Sequence, residues 1–532
     1  MSVGTQQQIF VRNSTGLRKE AGVFDIFVYN VNNQNIGLGV AFLFTAVAAY
    51  PGGNFPLSAI LGSLLVLPLY FVYSRLSSDM AKSGGDYVWT SRIFGPTWGP
   101  MIGFTLAWTW AILAFTAIGA PAAFFAQLGV AGWMRELGVA TGSSVFINIG
   151  NWVNGTFGTF VVGTILLVFF AYILIRGVRT YMRVQNVAFL LAMAGVVLGF
   201  IAAIVANHGA VAGHFDTYVT ALGGISHAST KVVANAPAAT TGFSASSTFY
   251  AMLWTIYMVL FGATSCYIGG EVRKPGQTQR MGMIGSLILT GVSIALLIVV
   301  VQNAIGQTFL QGLASTPASS LGLAFNPTYN ELLVIAMSPS VIWAVALGFT
   351  FLFWTYVWMP INFFTATRLM LALSLDGYLP AKVSDVHPRY ATPHVAILIA
   401  FVLGELSMIL YITGVLSVIT LLWAGVLMFV LTGIAAIIYP YRLPGVWKAG
   451  GGGRLGGIPT ISIWGALLVP AMLIVLWILW FDPFVGIGAS TLQKTLNIGL
   501  PVSGFIVFWV IFAVRKSRGF DVRLSATEIP PD

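Results

Sequence analysis

Long apolar runs alternate with short polar or charged connections along most of the 532 residues. A helix needs about 20 apolar residues to cross the hydrocarbon core of a bilayer, and most runs reach that length. The pattern predicts an all-α membrane protein of twelve transmembrane helices, because a helix satisfies its backbone groups within one segment in lipid. Helix one is expected at about 23–49, two at 55–74, three at 98–130, four at 157–175 and five at 184–206. Helix six begins near Phe249. Seven follows at 281–305, eight at 340–375, nine at 394–413, ten at 415–439, eleven at 460–481 and twelve at 496–514. The organisation read from this is a polar tail over 1–22, five helices over 23–206 and a polar loop over 207–246 with no obvious helix. Five more helices over 247–439, a pair over 440–514 and a basic tail over 515–532 complete it.

Two of these helices read as broken. The apolar run from Val23 to Tyr29 and the run from Val40 to Ala49 are each too short to span, and together they are long enough. Between them lies Asn30-Val31-Asn32-Asn33-Gln34-Asn35-Ile36-Gly37-Leu38-Gly39, which puts amides and two glycines near mid-membrane. Polar, irregular backbone at that depth is tolerated only where it faces protein or a water-filled cavity. The alternative is a helix that starts at Ile36 with the amides in a preceding loop. Helix six repeats the pattern. Phe249 to Phe261 is too short, meets Gly262-Ala263-Thr264-Ser265 and is expected to continue through Tyr267 to Gly270. A matched pair of interrupted helices, five helices apart, points to an inverted repeat with a central binding site.

Composition agrees. Charged residues are 8% of the chain and hydrophobic residues 57%, where soluble domains carry roughly 25% charge. The net charge of +10 is topological. With the N-terminus inside, all but three of the 25 lysines and arginines fall on the inner side; Arg135, Lys231 and Lys494 are outside. That bias fits an even number of helices with both termini cytoplasmic. It calls for no nucleic-acid partner, only weak attraction to acidic lipid headgroups. The single cysteine, Cys266, excludes an intrachain disulfide, and the five histidines are scattered. No metal or cofactor is expected. Residues 1–22 are polar and show no cleavable leader, and a multi-pass place in the plasma membrane is expected.

Four stretches carry a family resemblance. Lys82-Ser83-Gly84-Gly85-Asp86-Tyr87-Val88-Trp89 with Phe94-Gly95-Pro96 follows helix two. Glu271-Val272-Arg273-Lys274-Pro275 closes helix six. Thr367-Arg368-Leu369, Asp376-Gly377-Tyr378-Leu379-Pro380, His387-Pro388-Arg389-Tyr390 and Thr392-Pro393 join helices eight and nine. Ile36-Gly37-Leu38-Gly39 lies in helix one. In chain order, over about residues 20–440, they resemble the amino acid–polyamine–organocation transporters, of amino acid permease type. The resemblance implies a leucine-transporter-type core of five plus five inverted helices with two peripheral helices added. The chain departs from the family at Asn32-Asn33-Gln34-Asn35, at Leu38 and at Thr264-Ser265-Cys266, differences that bear on the substrate.

An amino acid zwitterion needs two opposite partners. Free N–H groups at a helix start suit its carboxylate, and exposed carbonyls at a helix end suit its ammonium. Gly37, Gly39 and Gly262 would let a ligand approach the backbone. Leu38, Phe261 and Ala263 accompany them, Thr264 and Ser265 add hydroxyls, and Asn33 and Gln34 add amides. The competing reading of the glycines is close helix packing. Tyr257, Met258 and Phe261 are candidates to gate an apolar substrate, or ordinary packing residues. No acid lies at this site, and a cation buried without a counter-charge is costly, which favours a neutral amino acid. Arg368, Asp376, Asp86 and Lys82 are expected to form a charge network on the inner face.

The resemblance also implies, for sodium-linked carriers, a cage of helix-one carbonyls and helix-eight hydroxyls. Helix eight offers Thr355, Asn362 and Thr365, spaced to share one face. Proton-linked relatives place a lysine in helix five, which is absent here. Glu405, in helix nine, is an ionisable group within a span and so a coupling candidate, with a structural role as the alternative. The coupling ion is therefore H+ or Na+, or none. The function expected is secondary active transport of an amino acid by alternating access. The alternatives are an exchanger, a carrier of cationic amino acids or polyamines, and a non-transporting sensor. An enzyme is not expected, because no nucleophile or HExxH pattern falls in the spans. Nothing in the pattern specifies an oligomer.

Overall fold

Helix one breaks at a single residue. In the computed structural model, which describes residues 16–237, 242–338, 340–417 and 420–528, it consists of Val23–Gln34 and Ile36–Ala46, joined at Asn35. Asn35 has φ 56° and ψ 76°, the left-handed region that asparagine tolerates better than most residues. Its backbone N–H closes the first half on Val31 O at 2.9 Å, and its side chain ties the second half to helix eight. The carbonyl oxygen accepts from the Leu38 N–H at 3.1 Å, and the amide donates to the Trp354 carbonyl at 2.8 Å. The two glycines lie inside the second half, so the break is made by the asparagine. Arg12, one of the arginines expected on the inner side in the polar tail, lies outside the described residues.

Helix six ends as an α-helix at Val259. The expected helical continuation to Gly270 is instead two short 3-10 turns, Thr264–Tyr267 and Gly269–Glu271. The backbone there is bonded sideways. Gly84 N–H donates to Tyr267 O at 3.0 Å, and the N–H groups of Glu20 and Ala21 donate to Glu271 O at 2.8 and 3.0 Å. Isolated bridges pair Ser83 with Ile268 and Ala21 with Val272. Partners outside the segment thus replace the ladder a helix would supply.

Eleven helices among the described residues are long and apolar enough to cross a membrane. The two halves of helix one, of 12 and 11 residues, each fall short. Helix three is longer than expected, Gly95–Thr141, and helix five starts earlier, Val178–Val205. Helix ten begins only at Leu422, and Ser417 and Thr420 belong to the connection before it. The 207–246 loop holds helices at Val211–Ala221 and Ala228–Ala234, a correction to the helix-free reading. Its small and polar composition hid them; Phe215 and Tyr218 anchor the first by burial.

Helix six is the most enclosed span, with 83% of its apolar window buried, against 33% for helix nine and 22% for helix twelve. Helix two packs on six and seven, helix three on eight and nine, and the first half of helix one on seven. Helices three and eight each carry a π-turn, Phe125–Val130 and Ala344–Gly348. Glycines let the two approach. A Cβ on Gly129 would meet Leu352 Cδ2 and Thr355 Oγ1, each at 2.9 Å.

Candidate substrate site

The amides of helix one link its break to four neighbours. Asn30 donates to Ser265 Oγ at 3.1 Å, and its oxygen accepts from Ser265 N–H at 3.2 Å. Asn33 Nδ2 donates to the Phe261 carbonyl at 3.0 Å and to Thr264 Oγ1 at 2.8 Å. Gln34 bonds Tyr70 OH of helix two and Ser286 Oγ of helix seven. Asn35 reaches helix eight. All four are buried, where an unmade hydrogen bond is expensive.

Beside Asn33 lies a cavity of about 50 Å³, room for a few waters. Helix three contributes Thr116, Ala120 and Phe124. Helix six contributes Tyr257 and Phe261, helix eight Trp358 and Asn362, and the segment before helix ten Ser417 and Thr420. Aromatic rings form one wall. Tyr257 stands edge-on to Trp358 at 5.8 Å and to Phe261 at 6.0 Å. Trp358 Nε1 donates to Asn33 O at 2.8 Å, and Asn362 donates to Trp358 O at 2.8 Å. Among the described residues no charged side chain borders this cavity.

Buried ion pairs gather where helix eight ends. Arg368 forms a two-point ion pair with Glu271, at 2.6 and 3.2 Å, and Arg92 pairs with Asp376 at 2.9 Å. All four are almost fully buried. Tyr73 donates to Asp86 at 2.8 Å. Burial lifts the Asp86 carboxyl to about 7, while hydrogen bonds from Tyr73 and Tyr267 act in the opposite direction. The four residues expected to form one inner network are not joined to each other by any of these ion pairs. Arg368 meets Glu271, Asp376 meets Arg92, and Asp86 sits among tyrosines. Ser417 and Thr420 lie at the opposite end, because helix nine runs 19 residues, about 28 Å, between the two.

A profile of the amino acid permease family matches residues 22–512. The chain belongs to that family. It is 24% identical to the branched-chain amino acid permease BcaP of Bacillus subtilis (strain 168) over 448 residues, 84% of this chain and 85% of that protein. It is also 24% identical to the serine/threonine exchanger SteT of the same organism over 514 residues, 94% of this chain and 98% of the other. The protein is a membrane-embedded amino acid transporter and not an enzyme.

Within this permease the residues singled out from sequence divide. Asn33, Phe261, Tyr257 and Asn362 border the cavity. Gln34, Thr264 and Ser265 are bonded to neighbouring helices, and Leu38 and Ala263 are buried. The glycines face side chains. A Cβ on Gly37 would meet Trp354 Cγ at 2.5 Å, and one on Gly39 would meet Met258 Cγ at 2.6 Å. A Cβ on Gly262 would overlap Gln34 and Tyr70. Met258 therefore packs on Gly39.

Helix eight is interrupted at Val357, between Phe349–Tyr356 and Trp358–Leu375, and only one of its trio reaches the cavity. Thr355 bonds Leu352 O and faces Gly129, Thr365 bonds Ile361 O, and Asn362 alone reaches the cavity. Glu405 is half-buried against helix four, where Thr164 donates to it at 3.0 Å.

Sequence reasoning missed the helix-three wall, Trp358 and the Ser417–Thr420 segment. The polar pair Ser417 and Thr420, at the start of an otherwise apolar run, was the available signal.

Proposed function

We propose that this permease carries a neutral amino acid with a small or apolar side chain across the plasma membrane by alternating access, with both termini cytoplasmic. The observation that carries the reading is the uncharged cavity at Asn33. A cationic or anionic side chain would lose its hydration there with no counter-charge to replace it. The named substrates of the two relatives, branched-chain amino acids and serine or threonine, also have uncharged side chains. The buried ion pairs on one face, with the cavity reaching Ser417 and Thr420 towards the other, fit a carrier closed on one side. The divergence of Thr355, Asn362 and Thr365 supports transport without a sodium requirement. Exchange is a second reading, favoured by the likeness to an exchanger over 98% of that protein.

The test is uptake into proteoliposomes with a sodium gradient, a pH gradient or neither, with and without internal amino acid, after a thermal-shift screen of zwitterionic, cationic and anionic amino acids. Stabilisation and uptake by neutral amino acids are expected. Responses confined to arginine, lysine or polyamines would overturn the substrate class, and a strict sodium requirement would overturn the coupling.

A further inference from the structure

A second hollow lies on the outer surface of the permease, between helices three, four, five and eight. It measures about 630 Å³, within the range of roughly 300–1,000 Å³ typical of pockets that hold one organic ligand. Phe125, Phe169, Phe170, Val187, Leu352 and Phe353 supply most of its apolar wall. Phe169 and Val187 are 46% and 60% exposed, so the hollow opens to whatever surrounds the transmembrane surface. One lining residue is charged, Arg183.

That arginine is the informative feature. It stands five residues past the first residue of helix five, Val178, or about 8 Å along the axis. At that depth an exposed arginine keeps its guanidinium towards the polar interface and lays its stem on apolar surface. Arg179, one turn earlier, lies on the same face, and Val187, one turn later, lines the groove. The stripe thus runs from two guanidinium groups directly into an apolar trough. Among the described residues neither Arg179 nor Arg183 has a carboxylate in ion-pair distance. Nearby Arg176 is held differently, over the rings of Tyr172 and Tyr390 at 5.6 and 5.4 Å.

We propose that this groove binds one anionic phospholipid of the surrounding bilayer, with its phosphate on Arg183 and Arg179 and an acyl chain along Val187, Phe170, Leu352 and Phe353. Arginine suits the headgroup because its planar fork donates two parallel hydrogen bonds to phosphate oxygens. Bulk lipid tails filling the trough would require no arginine, so dependence on the headgroup separates the two cases. Phe170, Val184, Ala188 and Tyr356 also wall a small internal cavity beside Asn32 of helix one. The Asn32 side chain has no hydrogen-bond partner there and is 1% exposed. A lipid in the groove therefore braces helices five and eight one side-chain layer away from the broken helix.

The test is native mass spectrometry of the full-length permease in mild detergent, titrated with dioleoyl phosphatidylglycerol or dioleoyl phosphatidylcholine. One phosphatidylglycerol is expected to be retained at least about fivefold more tightly than phosphatidylcholine, with Arg183→Gln and Arg179→Gln each removing about fivefold of that preference. Val187→Trp, which fills the trough, is expected to lower retention of both lipids, and Arg442→Gln to change neither. Thermal unfolding in the same detergent checks that each variant is folded, and Arg179→Gln carries the headgroup arm if Arg183→Gln is not. Equal retention of the two lipids by the unsubstituted protein overturns the proposal. So does a preference undiminished by loss of either arginine, or lipid retention indifferent to Val187→Trp. The readout is lipid binding, so it stands apart from the outcome of the uptake assays.

Discussion

Asn33 in helix one places its side-chain nitrogen 2.8 Å from the hydroxyl of Thr264, just past the end of helix six. The same nitrogen reaches the Phe261 carbonyl at 3.0 Å, and the residue borders the cavity. One amide thus holds the two interrupted segments together beside the cavity.

Asn33→Ala is expected to remove both bonds and to lower stability by about 2 kcal/mol, at about 1 kcal/mol for each. If Asn33 also orders the site, the substrate concentration for half-maximal uptake rises about tenfold, the equivalent of one such bond and a little more. Uptake and melting temperature measured on the same preparation check this. A lower melting temperature with unchanged half-saturation would reduce Asn33 to a structural clamp.

Gly37→Ala is expected to destabilise more than Gly39→Ala. The added carbon at position 37 meets Trp354, whose indole N–H is fixed to Ala192 O at 3.1 Å. At position 39 it meets Met258, a flexible side chain that can yield. Overpacking costs of about 1–3 kcal/mol apply to Gly37→Ala. Thermal unfolding reads the difference, and loss of ligand affinity in Gly37→Ala at unchanged melting temperature would mean that the glycine faces the ligand.

Arg368→Gln should loosen the closed face. It leaves Glu271 buried without its partner, a loss of about 3–5 kcal/mol in comparable sites. The chain supplies its own reporter, since Cys266 is its only cysteine and is 1% exposed just inside this network. Maleimide labelling of Cys266 is expected to be slow in the unsubstituted protein and at least about tenfold faster in Arg368→Gln, the effect of about 1.4 kcal/mol on opening. Equal rates would show that the pair does not keep this face shut.

Asp86 should make stability depend on pH. Its carboxyl titrates near 7 in the folded protein and near 3.9 in an unfolded chain. The folded state therefore holds the proton more tightly. The contribution of Asp86 is fully present below about pH 4 and is lost as the pH rises through about 7. Asp86→Asn is expected to flatten the melting temperature between pH 4 and 7 relative to the unsubstituted protein and to exceed it at pH 8. Parallel curves for the two proteins would remove Asp86 from the pH response.

The apolar run length and the placement of lysine and arginine made the membrane-helix architecture legible, because the bilayer imposes both along the chain. The interruption of helices one and six was legible for a related reason. Amides in mid-membrane need partners, and their position implies a buried polar site. What the residues beside each amide would be was not legible. Asn35 and not a glycine makes the break, because the bonds to Leu38 and Trp354 hold it in the left-handed region. Gly37 and Gly39 turned towards Trp354 and Met258 because helix packing, which is invisible to a local pattern, decides which side a small residue serves. The helix-three wall, the seating of Thr355 against Gly129, and the pairing of Arg368 with Glu271 and of Arg92 with Asp376 all involve contacts between residues far apart in sequence. The one-dimensional pattern thus determined that a polar centre exists in a membrane bundle. Only the packing of helices three, six and eight around helix one decided which side chains face it.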